Sequence, residues 1–200
     1  MKEGTVHVVD DDDAIRDALS WLLRSRGVPA RTWASAEAFL ADWSEELRGC
    51  LVLDVRMDGM SGVELHDRLL ARGSRLPVIF LTGHGDVPLA VGALKKGAFD
   101  FVEKPFNDNE LVDRIVAAIR HDELQRERLE SEADVAARLA TLSPREREVM
   151  ERVLAGDYNR TIADALGIAV RTVEVHRARN FEKMGVRSAV ELSRLVAPRR

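Results

Sequence analysis

The stretch VHVVDDDD, residues 6–13, decides how the rest of the chain is read. Val6–Val9 is too short for a helix and rich in β-branched residues, so it reads as a strand, and it runs straight into four acids. Working outward, three more apolar runs of similar length occur at Cys50–Leu53, Leu76–Leu81 and Phe99–Val102, with a weaker one at Ala30–Trp33. Helical patterns separate them, at Ala14–Arg26, Ala36–Leu47, Val63–Ala71 and Val87–Lys96. A fifth helix starts near Asn107 and carries Leu111, Ile115 and Ile119 on one face. Strand and helix in strict alternation mean crossover connections, and hence an α/β fold: a doubly wound, five-stranded parallel sheet covered on both faces.

In such a sheet the functional site lies at the C-terminal ends of the strands. The residues found there are Asp10–Asp13 after the first strand and Asp54 after the third. Thr82 and Gly83 follow the fourth, and Lys104 and Pro105 the fifth. Carboxylates gathered within ~4–6 Å repel one another unless a cation intervenes. An oxygen-only pocket with open water positions suits Mg²⁺. An aspartate kept ionised there can attack phosphorus and form an acyl phosphate. Mg²⁺, Lys104 and the Thr82 hydroxyl would balance the charge on the phosphoryl oxygens. Asp54 stands alone at the end of a central strand and is the nucleophile candidate. Asp12 and Asp13 open the first helix, where acids complement the macrodipole.

The remaining composition is that of an ordinary soluble chain. Its 200 residues are 46% apolar and 32% charged, with a formal net charge of −4. No apolar run approaches the ~18 residues of a membrane span, and the N-terminal stretch has no signal-peptide pattern. The single cysteine, Cys50, excludes an internal disulfide or a cysteine-rich metal site and fits a cytoplasmic, reducing compartment. Cys50 and the three tryptophans, Trp21, Trp33 and Trp43, read as packing residues. Charge is spread unevenly: residues 1–121 carry −5, residues 122–142 carry −3, and residues 143–200 carry +4. An acidic body with a basic C-terminal part points the latter toward a polyanion.

Three segments follow from this: 1–121, a helical linker at 122–140, and a C-terminal domain at 141–200. Residues 108–140 contain neither Gly nor Pro. Leu111, Ile115, Ala118, Leu129, Ala136 and Leu139 suggest a heptad seam that Asp122, Gln125 and Glu132 interrupt. A short coiled coil and a solvated single helix both satisfy that pattern. The last segment carries four helix signals. Ser143-Pro144-Arg145-Glu146 and Ser188-Ala189-Val190-Glu191 are capping boxes, and Gly156, Gly167 and Gly185 are stops. The short helix at 159–166 and the longer one at 170–184, joined by Gly167-Ile168-Ala169, have helix-turn-helix spacing. On the longer helix, Val170, Val173, Arg177, Asn180, Phe181 and Met184 share one arc of about 100°. The opposite side carries Arg171, Glu174, Val175, Ala178, Arg179 and Glu182.

VHVVDDDD, LVLDVRM, FLTGHGDVP and FDFVEKPF resemble the receiver domain of two-component response regulators over about residues 4–120, most closely the FixJ-type subgroup. The resemblance implies a flavodoxin-like receiver in which Asp10 and Asp11 bind Mg²⁺ and Asp54 is the phosphoacceptor. It also implies that the Arg56 carbonyl completes the metal site and that Thr82 and Lys104 contact the phosphoryl group. Lys104-Pro105 would be cis, and Phe101 occupies the aromatic switch position. His84 and Asp86 fall in the loop beside the phosphorylation site. One departure stands out. The family usually reads Arg-Met-Pro after the phosphoacceptor, whereas this chain has Asp58 in place of the proline, which removes a φ restraint and adds an acid.

Residues 141–195 resemble the LuxR/NarL-type effector domain, which makes 170–184 the recognition helix and the final helix a dimerisation element. Arg171, Thr172, Glu174, Val175 and Arg179 are then the candidates for base and groove contacts, with Arg160 and Lys183 on phosphates. Arg177 fits a structural ion pair as well as a DNA contact. Two departures occur: Ala169 replaces the usual Ser or Thr N-cap, and Asn180 replaces an apolar residue and so needs a hydrogen-bond partner or a groove-facing tilt.

The implied function is a response regulator and DNA-binding transcription regulator. A partner histidine kinase would phosphorylate Asp54, and the receiver would dimerise through its fourth-helix and fifth-strand face, around Val91, Lys95 and Phe101. Two recognition helices would then reach double-stranded promoter DNA, with no membrane involved. The chain would not be an enzyme beyond Mg²⁺-dependent self-phosphorylation. A phosphatase using an aspartate nucleophile is one rival, although it would want an acid at position 56, which is Arg. Constitutive DNA binding that ignores phosphorylation is the other.

Overall fold

A computed structural model describes residues 4–83 and 87–197. They form two compact units, Met1–Arg126 and Glu127–Arg200.

In the first unit β1 (Thr5–Val9), β2 (Ala30–Trp33), β3 (Gly49–Asp54), β4 (Val78–Thr82) and β5 (Asp100–Glu103) alternate with helices. These are α1 (Asp13–Ser25), α2 (Ala36–Asp42), α3 (Gly62–Ala71), α4 (Val87–Lys95) and α5 (Asp108–Ala140), whose residues after Arg126 belong to the second unit. The strands make one sheet in the order β2-β1-β3-β4-β5, every pair parallel. Side chains alternate between its two faces, as the pleat requires. Val9, Leu51, Leu53, Val78 and Phe80 face one core with Phe39, Leu65, Leu69 and Ala93 from α2, α3 and α4. Val6, Val8, Cys50, Val52, Ile79 and Leu81 face the other with Leu19, Leu23, Leu111, Ile115 and Ala118 from α1 and α5. All six residues of β3 are buried, which is why that strand reads as an unbroken apolar run. Cys50 is among them, and burial pushes its thiol far up, so it is inert.

Two tryptophans pack as expected: Trp33 is buried edge-on against Phe39, and Trp43 is half-buried on the same core. Trp21 does not; it is 72% exposed. The buried stripe of α1 is Leu19, Leu22 and Leu23, and two residues on from Leu19 a helix has turned to its opposite side. Composition suggested packing where helical phase dictates exposure.

Asp122, which interrupts the heptad pattern, is a structural residue of the first unit. It is buried, and its Oδ2 accepts the Gly49 N–H at 2.9 Å. Arg126 Nε reaches both of its oxygens at 2.9 Å, while the Arg126 Nη2 donates to the Leu47 carbonyl. Gly49 sits at φ +108, and a Cβ there would lie 2.0 Å from the Thr5 carbonyl oxygen, so no other residue fits.

The second unit packs α6 (Pro144–Leu154), α7 (Asn159–Leu166), α8 (Val170–Met184) and α9 (Ala189–Val196) around Val149, Met150, Ile162, Val173, Met184 and Leu192. Val135 and Leu139, from the last turns of α5, join this core. The α6 capping box is complete: Ser143 Oγ accepts the Glu146 N–H, and Glu146 Oε2 accepts the Ser143 N–H. Gly167 and Gly185 end α7 and α8 in the left-handed conformation.

Replacing Asp122 with Ala leaves the Gly49 N–H and the Arg126 guanidinium without their shared acceptor. We expect a loss of about 2–3 kcal/mol in urea unfolding followed by circular dichroism.

Candidate functional site

The parallel register builds the pocket. Val9 pairs with Leu53, so Asp10 and Asp54 end adjacent strands side by side. Asp54 pairs with Leu81, which puts Thr82 one residue further along β4. Thr82 pairs with Glu103, which puts Lys104 one residue beyond β5. The Lys104 N–H donates to the Thr82 carbonyl at 2.7 Å, and Lys104-Pro105 is cis. The Gly62 N–H donates to the Val55 carbonyl, so α3 begins against the end of β3, where a Cβ on Gly62 would meet the Asp54 carbonyl at 2.0 Å.

Lys104 Nζ bridges the two buried acids, 2.9 Å from Asp10 Oδ2 and 2.7 Å from Asp54 Oδ1. The second oxygen of Asp54 accepts the Arg56 N–H at 3.1 Å, and that of Asp10 accepts the Asp12 N–H at 2.9 Å. Asp11 is exposed, and its Oδ2 accepts the Asp58 N–H at 2.8 Å. Burial pushes the Asp54 carboxyl above the ordinary carboxylate range, with Lys104 pulling the other way. Burial alone would lower Lys104, but its bonds to Asp54 and Asp10 outweigh this and hold the ammonium above its ordinary value. Thr82 is fully buried and its hydroxyl has no partner. A buried polar atom left unpaired costs free energy, and this one lies where the register aligns it with Asp54 and Lys104.

Among the described residues, Asp10, Asp11 and Asp54 form the one cluster able to hold a metal ion, each offering an oxygen within 4.8 Å of the others. Oxygen-only donors of this kind fit Mg²⁺. Asp12 caps α1, its side chain accepting the Ala14 N–H, and Asp13 pairs with Arg16. Arg56 is exposed and contributes its N–H to Asp54. Phe101 is half-buried against the core that contains Phe80. Val91 and Lys95 are exposed on α4. His84 and Asp86 lie outside the described residues.

On α8, Arg171, Thr172, Glu174, Val175 and Arg179 are all exposed, as is Arg160 on α7. Val170 is exposed too, because the arc containing Val173 and Met184 has not yet met its neighbours at the first residue of the helix. Arg177 is half-buried, its guanidinium 5.7 Å from the Phe181 ring centroid. Ala169 caps α8 with no side-chain bond, where Ser or Thr would typically add about 1 kcal/mol. Asn180 is buried, and its Nδ2 donates to the Glu146 carbonyl at 2.9 Å.

Lys183 is exposed, yet its Nζ lies 2.6 Å from Glu146 Oε2 and 2.9 Å from the Thr141 carbonyl. The sequence suggests Lys183 as a phosphate contact and gives no sign that it meets Glu146, whose main-chain carbonyl also takes Asn180. The capping box had marked Glu146, but nothing in the sequence linked it to a lysine 37 residues away.

The response regulator receiver domain family matches residues 6–116, and the luxR family of bacterial regulatory proteins matches residues 140–196. The chain is 55% identical over 193 residues to the C4-dicarboxylate transport transcriptional regulatory protein DctR of Rhodobacter capsulatus, spanning 96% of this chain and 98% of that one. It is 48% identical over 190 residues to the transcriptional regulatory protein FixJ of Azorhizobium caulinodans, spanning 95% and 90%. Among solved structures, the response regulator StyR aligns with a TM-score of 0.89 at 41% identity, over 97% of this chain and 98% of that one. Full-length FixJ from B. japonicum aligns with a TM-score of 0.63 at 47% identity, over 98% and 96%.

The Lys183 hydrogen bond first, then the Ser143 N–H, hold the Glu146 carboxyl down to about 2 from its ordinary 4.5. The folded value lies below the unfolded one, so this group stabilises the fold above about pH 4.5 and loses that contribution as pH falls toward 2. Lys183→Met should cost about 1 kcal/mol at pH 7 after solvent screening. It should also move acid unfolding, followed by helical circular dichroism, to higher pH.

Proposed function

The chain belongs to the response regulators that join a receiver domain to a luxR-family effector, and from that premise we propose that phosphorylation of Asp54 switches its binding to promoter DNA. The observation that carries this reading is Lys104 bridging Asp10 and Asp54 beside the unpaired Thr82 hydroxyl. An Asp54 oxygen attacks phosphorus while the bond to the donor nitrogen breaks. That nitrogen, an imidazole of a partner histidine kinase, keeps the electron pair. Asp10, Asp11, Asp54 and the Arg56 carbonyl would hold Mg²⁺, which when bound offsets the negative charge of the phosphoryl oxygens. Lys104 then has a phosphoryl oxygen to bond in place of the Asp54 carboxylate, and the Thr82 hydroxyl gains an acceptor.

Those two shifts are the chemical input of the switch. With Thr82 drawn toward the phosphoryl group, Phe101 turns inward. The α4–β5 face, with Val91 and Lys95, becomes a dimer surface. The receiver is taken as residues 1–121, the helical linker as 122–140 and the effector as 141–200. The switch rests on differential affinity between two states and not on a new contact alone. In the effector, Arg171, Thr172, Glu174, Val175 and Arg179 meet the major groove and Arg160 a phosphate. Lys183 is engaged with Glu146 and the Thr141 carbonyl, which ties the end of α8 to the start of α6. No described helix is long and apolar enough to cross a membrane, and a cytoplasmic location suits a regulator that must meet both kinase and promoter.

Incubation with Mg²⁺ and a small-molecule phosphodonor should add one phosphoryl group to the wild type and none to Asp54→Asn, read by intact mass. An adduct on both proteins, or on neither, contradicts the assignment. Arg160→Ala should weaken binding to duplex DNA of any sequence and reduce the slope of log K against log salt by about 1. Lys183→Met should leave that slope unchanged.

A further inference from the structure

Alternate main-chain amides of the loop between β3 and α3 donate to carboxylates at the end of β3, in the β1–α1 loop and on α2. The Arg56 N–H donates to Asp54 Oδ2 at 3.1 Å, the Asp58 N–H to Asp11 Oδ2 at 2.8 Å, and the Met60 N–H to Glu37 Oε1 at 3.0 Å. Gly59, at φ +79, turns the chain between the last two rungs. The middle rung falls where response regulators usually carry proline, which would have no hydrogen to give. We propose that the Asp58 main-chain N–H, and not its carboxylate, positions Asp11 for the divalent cation, so that cation affinity is set in the backbone of this loop.

The physical reason is pre-organisation. Asp11 is exposed, and an exposed carboxylate loses rotamer freedom when it coordinates a metal. The Asp58 N–H has already removed part of that freedom and engages Oδ2, while the other oxygen keeps its lone pairs for the cation. The same N–H dipole offsets repulsion among Asp10, Asp11 and Asp54, whose oxygens lie within 4.8 Å of one another. A charge-assisted bond from a main-chain amide does this without adding a side chain to the pocket. The exposed Asp58 carboxylate faces water, where salt screens it.

The proposal rests on the reading of this pocket as a Mg²⁺ site, and one experiment separates the two. MgCl₂ is titrated into the full-length wild type, Asp58→Ala and Asp58→Pro by calorimetry, near physiological ionic strength. Asp58→Ala keeps the N–H and should bind within about twofold of the wild type. Asp58→Pro lacks it and should bind about three- to tenfold more weakly. A wild type that binds no Mg²⁺ overturns the site reading itself. Binding by the wild type with Asp58→Pro equally tight overturns the positioning role, and so does an Asp58→Ala loss as large as that of Asp58→Pro. If Asp58→Pro does not fold, amide NMR decides. Asp11→Ala should shift the Asp58 amide proton upfield and speed its exchange, and an unmoved resonance overturns the proposal.

Discussion

Two carboxylates at adjacent strand ends, both nearly dry, can coexist only because one ammonium holds them. Asp10 and Asp54 are buried beside each other, and Lys104 spans the gap. The sheet satisfies that constraint by register. A slip of one residue in any of three strand pairings would take an acid, the threonine or the lysine out of reach. The buried β3 and the two cores that clamp it give the register its rigidity. The pocket is therefore a place where packing energy sustains an arrangement that would be unfavourable alone. Removing one partner of such a group is far costlier than the attraction between the partners would suggest.

The sequence disclosed what depends on period and punctuation. Short β-branched runs ending in Asp10, Asp54, Thr82 and Lys104 were enough to place the pocket, because strand ends are local events and their convergence follows from the crossover rule. The helices at 159–166 and 170–184 were equally clear, bounded by Gly167 and Gly185 in the left-handed conformation. Residues whose meaning lies in a distant partner were not legible. Asp122 looked like a polar interruption of a helix seam and is a buried acceptor for Gly49. Trp21 looked like core and lies on the outer side of α1. Asp58 looked like an added charge, whereas its structural contribution is the backbone hydrogen that a proline would have withheld.

The effector repeats the lesson in reverse. Its helix α8 carries a polar cluster against α6, where Asn180 donates to the Glu146 carbonyl and Lys183 pairs with the Glu146 side chain. A capping glutamate, normally a surface feature, is here buried, with Asn180 on its main chain and the partly exposed Lys183 on its side chain. Three cations of α8 are exposed, Arg171, Arg179 and Lys183, and only Lys183 is tied back to Glu146, which leaves Arg171 and Arg179 in the first ten residues of the helix. That is the end a helix-turn-helix presents to base edges.

The long helix α5 explains why its heptad pattern was imperfect. It does not serve one continuous apolar seam. Leu111, Ile115 and Ala118 belong to the core of the first unit, and Val135 and Leu139 to the core of the second. Between them lie Asp122 and Arg126, tied to Gly49 and Leu47, and then the exposed i,i+4 pair Arg128 with Glu132, with a second pair, Asp134 with Arg138, in the last turns. Such pairs add only about 0.3–0.5 kcal/mol each, and they support a stretch already free of Gly and Pro. Arg138 also donates to the Met184 carbonyl at the end of α8, and a Cβ on Gly185 would lie 2.7 Å from its Nη1. The segment that reads as a linker is therefore, at each end, a packed part of the unit it joins, and its last turn is bonded directly to the helix that would read DNA.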